Sequence, residues 1–160
     1  MAERQPLEQQ RPSGAAEVLL STEDGRLLEG LVTNLFVVTE SSAPDAAGSS
    51  DGSPVVWTAG VREGVVWGTA RARVLEACRQ LGIAVREEAP SSSGRLAWRE
   101  AFLTNSLRRV QPLHTISCGA GNVWGHAAWE VRFPAAPGPV TAALRAAMLA
   151  LLPTCDAADL

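Results

Sequence analysis

Hydrophobic positions recur along this chain with two different periods. Residues 17–20 read as a short strand, 22–25 as a tight turn, and Arg26-Leu27-Leu28-Glu29 as the returning strand. Residues 34–39 form a nearly continuous apolar run, as expected of a strand covered on both faces. Residues 41–53 then turn to Ser, Ala, Gly, Asp and one Pro, a composition that predicts an exposed loop with little apolar area to offset its ordering entropy. Residues 55–58 resume the sheet, and from Thr69 the period lengthens. Val74, Leu75, Cys78 and Leu81 lie three to four residues apart and line one helical face, with Gly82 just past the end.

Further strands are expected at 83–85 and 101–104, with a loop at 89–94 and one helical turn at 96–98 between them. Trp129, Val131 and Phe133 alternate as a strand does. Val140, Ala143, Leu144, Ala147, Met148 and Leu151 outline a last amphipathic helix entered through Gly138-Pro139. Strands interleaved with two long helices predict an α/β or α+β domain with a mixed sheet and packed helices. Its expected extent is residues 15–153, between a polar N-terminal arm at 1–14 and a tail at 154–160.

Composition narrows the function. A length of 160 residues, 46% of them hydrophobic, suits one domain with a sizeable core. A net charge of -3 offers nothing to a phosphate backbone, so nucleic acid is not an expected partner. Residues 140–152 are too few to span a bilayer and carry Arg145, so no membrane segment is expected either. The first residues lack the apolar stretch of a secretory signal. Three cysteines, Cys78, Cys118 and Cys155, do not make a disulfide framework and point to a reducing compartment such as the cytoplasm. All 14 basic residues are arginines, and the chain contains no lysine.

Three segments carry candidate chemistry. Gly68 lets the backbone turn closely, and the free N–H groups that start the helix at Thr69 and Ala70 would face an anion, aided by the helix dipole. The ordinary reading of Thr69 is an N-cap hydroxyl. Asn105 and Ser106, just past a buried strand, could add an amide and a hydroxyl where α/β folds commonly place ligands; their ordinary reading is a loop. Glu29, between two leucines and Gly30, stands where a sheltered carboxylate could face a protonated pyridine nitrogen, the alternative being a half-exposed strand glutamate. Arg108 and Arg109 could meet a substrate carboxylate or simply be solvated. His114, Cys118 and His126 match no closed zinc spacing, and the Ser91-Ser92-Ser93 run lacks the setting of a nucleophile elbow, so neither a metal nor a serine nucleophile is expected.

In order and approximate spacing, residues 28–38, Trp67-Gly68-Thr69-Ala70-Arg71 with Leu81-Gly82-Ile83, residues 101–112, and Gly138-Pro139-Val140-Thr141 resemble the class IV aminotransferases. These are the fold type IV pyridoxal-phosphate enzymes, among them branched-chain and D-amino-acid aminotransferases and aminodeoxychorismate lyase. The resemblance spans roughly residues 17–152 and looks closest to a plant and algal branch, through Arg86-Glu87-Glu88-Ala89-Pro90-Ser91 and Asn105-Ser106-Leu107-Arg108. It implies the cofactor-binding C-terminal domain of a larger fold, usually homodimeric. It also implies pyridoxal 5′-phosphate as cofactor, with Glu29 at the ring nitrogen, Gly68, Thr69 and Ala70 in a first phosphate turn, Asn105 and Ser106 in a second, and Arg108 as a candidate substrate contact.

Two departures qualify the resemblance. Relatives usually carry Gly-Ile-Thr in the first turn, so the hydroxyl here comes one place early and Ala70 offers none. The family's cofactor-bearing lysine lies upstream of the glutamate matched by Glu29, and the residues ahead of Glu29 contain none, nor the smaller N-terminal domain with its phosphate-binding arginine. The chain therefore reads as the C-terminal part of a longer aminotransferase or aminodeoxychorismate lyase, cytoplasmic or, for a full-length precursor, plastidial. Alone it should hold the cofactor weakly and without a covalent bond. The alternative is a non-catalytic remnant that acts as a binding or interaction module.

Overall fold

The computed structural model describes residues 8–9, 11–41, 52–107 and 109–150. Expectations for residues 1–7 and 10, for 42–51 of the loop, for Arg108, and for 151–160 including Leu151 lie outside the described residues. Among the described residues, seven strands make one mixed sheet: β1 (Leu19–Ser21), β2 (Leu27–Gly30), β3 (Asn34–Glu40), β4 (Pro54–Thr58), β5 (Ala84–Glu87), β6 (Trp98–Asn105) and β7 (Arg109–Pro112). Strands β8 (Thr115–Cys118) and β9 (Trp129–Arg132) form a separate antiparallel ribbon. The two helices are α1 (Thr69–Gln80) and α2 (Pro139–Ala150). This is the expected mixed α/β architecture.

The apolar run at 34–39 becomes the centre of the sheet because both of its faces are covered. On one face Phe36 and Val38 pack with Phe102 of β6, Val74 and Cys78 of α1, and Leu144 and Met148 of α2. On the other, Leu35 and Val37 pack with Ala101 and Leu103 of β6 and with Ile116 and Phe133 from the ribbon region. Phe36 and Phe102 stack across the β3–β6 pair at 4.9 Å between ring centroids. Burying each such side chain contributes roughly 1.5–3 kcal/mol, so alternation is lost here for a good reason: neither face sees water.

β4, α1 and β5 form a parallel crossover, the sole parallel pairing among the described strands. It places the start of α1 beside the N-terminal end of β3 and the C-terminal end of β6. Every other pairing is antiparallel, including β2 with β3 through Glu29 and Asn34, and β3 with β6 through Asn34 and Thr104.

Several expectations shift. Leu81 caps α1 rather than extending its buried face and is 46% exposed, with Gly82 following at φ 67 as a left-handed terminator. On α2 the buried positions are Thr141, Leu144 and Met148, and Ala143 faces outward. Val140 and Ala147 pack beside Leu144 and Met148 as expected, and the start of α2 is held by Glu100 of β6, whose carboxylate accepts from Val140 N and Thr141 N at 2.9 and 2.7 Å. The expected loop at 89–94 is shortened by a 3-10 segment, Ser92–Ala97, and the turn expected at 96–98 belongs to it, with Trp98 already in β6. β7 and β8 were not foreseen: each has few apolar residues and depends on its neighbour for its hydrogen bonds.

Candidate functional site

Glu29, Asn34 and Thr104 stand side by side across β2, β3 and β6, on the sheet face that carries the helices. Asn34 and Thr104 keep the parity of Phe36 and Phe102, so their side chains point toward the layer of α1 and α2. The start of α1 crosses this row. Between them lies an open cleft of about 210 Å³ lined by Glu29, Asn34, Thr104 and Asn105 from the strands, by Ser106 just past β6, and by Val66, Gly68, Thr69 and Ala70 from the helix side. Enclosed small-molecule pockets run to about 300–1,000 Å³, so this is a half-cleft, open on one side.

Glu29 is 4% exposed, which removes the half-exposed reading of this residue. Its Oε2 accepts from Asn34 Nδ2 at 3.2 Å and from Val66 N at 3.0 Å. Asn34 Nδ2 also donates to Val66 O at 2.9 Å, so one amide ties the carboxylate to the segment that leads into α1. Two N–H donors on one oxygen fix the direction of this buried carboxylate.

Gly68 is the N-cap of α1, in ordinary extended backbone at φ -73, and Thr69 is already helical. The N-cap reading of Thr69 is thus corrected. Gly68 is required by space rather than by conformation, since a Cβ there would overlap Asn34 Oδ1. No side chain caps this end of the helix, so the first N–H groups of α1 remain for a ligand or water. Thr69 is exposed and Ala70 buried. On the facing wall Asn105 Oδ1 accepts from Leu107 N at 3.1 Å, an Asx turn that shapes the strand end, and Ser106 is exposed.

Thr104 and Asn34 escaped the reading of the chain as site residues. Thr104 Oγ1 is buried and has no hydrogen-bond partner among the described residues, although Thr104 lines the cleft. Nothing in the local sequence separates such a threonine from any other strand threonine; strand parity and the position of α1 make the difference. Asn34 lay within the quoted segment, but its link to Glu29 needs the β2–β3 register. Arg71, next to the cleft, is fully buried: Nη2 donates to Ala59 O at 3.0 Å and to Glu87 Oε2 at 2.8 Å, and the guanidinium lies 5.5 Å from the centre of the Trp67 ring.

The remaining candidates do not converge. His126 contacts Glu23 O at 2.8 Å through Nε2, and among the described residues no three His, Cys, Asp or Glu side chains come together as a metal site. Among the described residues no helix is long and apolar enough to cross a membrane.

The arrangement fits a phosphorylated pyridine. An uncapped helix start, the Ser106 hydroxyl and the orphaned Thr104 hydroxyl suit an anion, and a buried, oriented carboxylate suits a protonated ring nitrogen. Comparison with known proteins bears on this. A family profile described as "Amino-transferase class IV" matches residues 4–116. No significant match is found among curated proteins. Among solved structures, a putative branched-chain amino acid aminotransferase from Thermotoga maritima superposes with TM-score 0.62 at 25% identity, covering 91% of this chain and 46% of that one. The branched-chain amino acid aminotransferase of Escherichia coli gives TM-score 0.62 at 24% identity, over 86% of this chain and 39% of that one. That of Thermobaculum terrenum, in its PLP-form, gives 0.62 at 20% identity, over 91% and 39%. The chain therefore spans less than half the length of each of these structures.

Proposed function

Because the chain belongs to the class IV aminotransferase family, we propose that its cleft is the cofactor-holding half of a pyridoxal-phosphate site. The observation that carries the reading is the single cleft formed by Glu29, Gly68, Thr69, Ala70, Asn105 and Ser106, far apart in sequence, around an unpartnered Thr104 hydroxyl. Pyridoxal phosphate, when bound, supplies an electron sink for charge developing on an amino-acid substrate.

The residues of this chain act on it by position. Glu29, aligned by Asn34 and Val66 N, holds the proton on the ring nitrogen. The first turn of α1 and the Asn105-Ser106 step orient the phosphate, with Ala70 contributing through its N–H alone. Arg108, which lies outside the described residues, is proposed to meet a substrate carboxylate. No side chain in the 160 residues is a lysine, so cofactor is held here without a covalent link, and the amine that carries the reaction comes from outside these residues. The substrate in the complete site is an amino acid with a keto-acid acceptor, or aminodeoxychorismate; incubation with each pair distinguishes transaminase from lyase.

Titrating pyridoxal phosphate into the chain should give saturable binding of high-micromolar strength that is lost on dialysis and not fixed by borohydride. Glu29→Gln should weaken it roughly tenfold, as expected for one charge-assisted contact. Submicromolar affinity, or affinity indifferent to Glu29, rules the placement out.

A second reading is favoured by the rim of the cleft. Val32, Val66 and Trp67 are 70%, 56% and 60% exposed there, an apolar edge suited to a covering domain or a second subunit. On this reading the chain is an interaction module. A monomer in sedimentation that binds no apolar dye argues against it.

A further inference from the structure

Residues 66–71 join the cleft to the parallel crossover, and this segment is fastened at both ends. At one end Val66 N donates to Glu29 Oε2 and Val66 O accepts from Asn34 Nδ2. At the other stands Arg71, the third residue of α1. Between these anchors Gly68, Thr69 and Ala70 line the cleft, with no side chain capping the helix. Gly68 N donates to Val66 O at 2.9 Å and Ala72 N to Gly68 O at 3.0 Å, so the first turn of α1 closes directly on this stretch.

Among the described residues Arg71 makes its hydrogen bonds through one atom. Nη2 donates to Ala59 O, just past β4, at 3.0 Å and to Glu87 Oε2, at the end of β5, at 2.8 Å. The side chain is fully buried, yet Nε and Nη1 have no hydrogen-bond partner among the described residues. Stability alone does not call for such a residue. Unpaired buried donors cost free energy, a buried ion pair is often no better than apolar packing, and a guanidinium in the first turn opposes the helix dipole. What the arginine supplies is reach, from the first turn of α1 to the C-terminal ends of both strands of the parallel pair.

We infer that Arg71 is a positioning residue, which sets the first turn of α1 against β4 and β5 and thereby aims the free N–H groups of Thr69 and Ala70. It rests on the cofactor reading only for the ligand that those groups meet. Glu29 and Arg71 are then the two fixed points on either side of Gly68, whose lack of a Cβ lets the turn pass against Asn34 Oδ1. Arg71 itself does not line the cleft and acts through the backbone of the turn.

The test uses the chain itself, with amide hydrogen exchange and with calorimetric titration of pyridoxine 5′-phosphate and pyridoxine, alcohols that cannot condense with an amine. Arg71→Met keeps length and apolar packing but loses Nη2, whereas Arg71→Lys supplies one nitrogen able to donate to both acceptors. Arg71→Met should speed exchange at Gly68 and Ala72 about tenfold more than at Val74 and Cys78, and weaken pyridoxine 5′-phosphate roughly tenfold with pyridoxine unaffected. A merely structural loss would lower both ligands and loosen the helix evenly. Arg71→Lys should bring both readouts back to within about threefold of wild type. Glu87→Ala, at a side chain 51% exposed, removes one of the two acceptors and should speed exchange at Ala72 by a smaller factor.

Exchange at Gly68 and Ala72 that rises no more than at Val74 overturns the inference, as does a folded Arg71→Lys chain as loose as Arg71→Met. If Arg71→Met does not fold, Glu87→Ala decides, and unchanged exchange at Ala72 there overturns it too. Pyridoxine 5′-phosphate binding that depends on Glu29 and ignores Arg71→Met sinks this inference and leaves the cofactor reading standing. Local loosening of the turn that lysine rescues, in a chain whose binding ignores Glu29→Gln, does the reverse.

Discussion

Arg71 lies in the first turn of α1 and Cys78 in the third, both fully buried, and the physics of burial treats them in opposite ways. The Arg71 guanidinium is held by Ala59 O, Glu87 and the Trp67 ring, while Nε and Nη1 find no partner among the described residues. Removing the side chain leaves a cavity and strands the Ala59 carbonyl, so Arg71→Ala should cost about 3 kcal/mol in urea unfolding. Glu87 is 51% exposed at its side chain, so Glu87→Gln should cost about 1 kcal/mol or less. Burial pushes the Cys78 thiol from its ordinary 9.0 up to about 11. The folded state therefore holds this proton longer than the unfolded one. The stability it contributes is intact below pH 9.0 and is lost as pH rises toward about 11. At pH 8 the half-buried Cys118 should alkylate long before Cys78, read by mass spectrometry of native protein; equal rates would mean that α1 opens easily. None of this was visible in the residue types. The sequence marks Cys78 only as an apolar position on a helical face and gives Arg71 no distinct role.

At the level of elements, the periods 2 and 3.6 were enough to find β2 to β6 and both helices, because each buries a face or a whole run. The misses share a cause. β7 and β8 hold four residues each and have no dense apolar pattern, so pairing partners rather than side chains make them strands. The anchor that holds the start of α2 is illegible in the sequence for a related reason. Glu100, only 5% exposed near the start of β6, accepts from the first two free N–H groups of α2 across 40 residues of chain. Such a cap has no local signature, unlike the Ser, Thr or Asp that ordinarily precedes a helix. Glu100→Ala should lower unfolding free energy by about 2 kcal/mol and shift α2 amides to faster hydrogen exchange, with Glu100→Gln milder because one acceptor oxygen survives. Unchanged exchange in α2 would mean that packing by Leu144 and Met148 alone positions the helix.

On the scale of the whole molecule, ligand binding and folding are linked, because the cleft exists only when β2, β3, β6 and α1 are assembled. At pyridoxal phosphate tenfold above its dissociation constant the folded chain should gain about 1.4 kcal/mol, which raises the melting temperature by roughly 3–6 °C. Glu29→Gln should shrink that shift at the same ligand concentration, and an absent shift in the wild type would separate the cleft from the cofactor. The residues of the cleft were named in advance only as three separate segments plus a resemblance. By itself the sequence determined the mixed α/β class, the covered central strand, the start of α1 at Gly68 and Thr69, and the lack of any lysine, since each follows from composition or from a local period. Tertiary structure alone decided that Glu29 is buried, that Asn34 aligns it, and that a buried Thr104 hydroxyl without a partner among the described residues lines the same cleft as the start of α1. The reason is geometric: strand register and the parallel crossover join residues that no local pattern relates, and burial and hydrogen bonding are properties of those junctions.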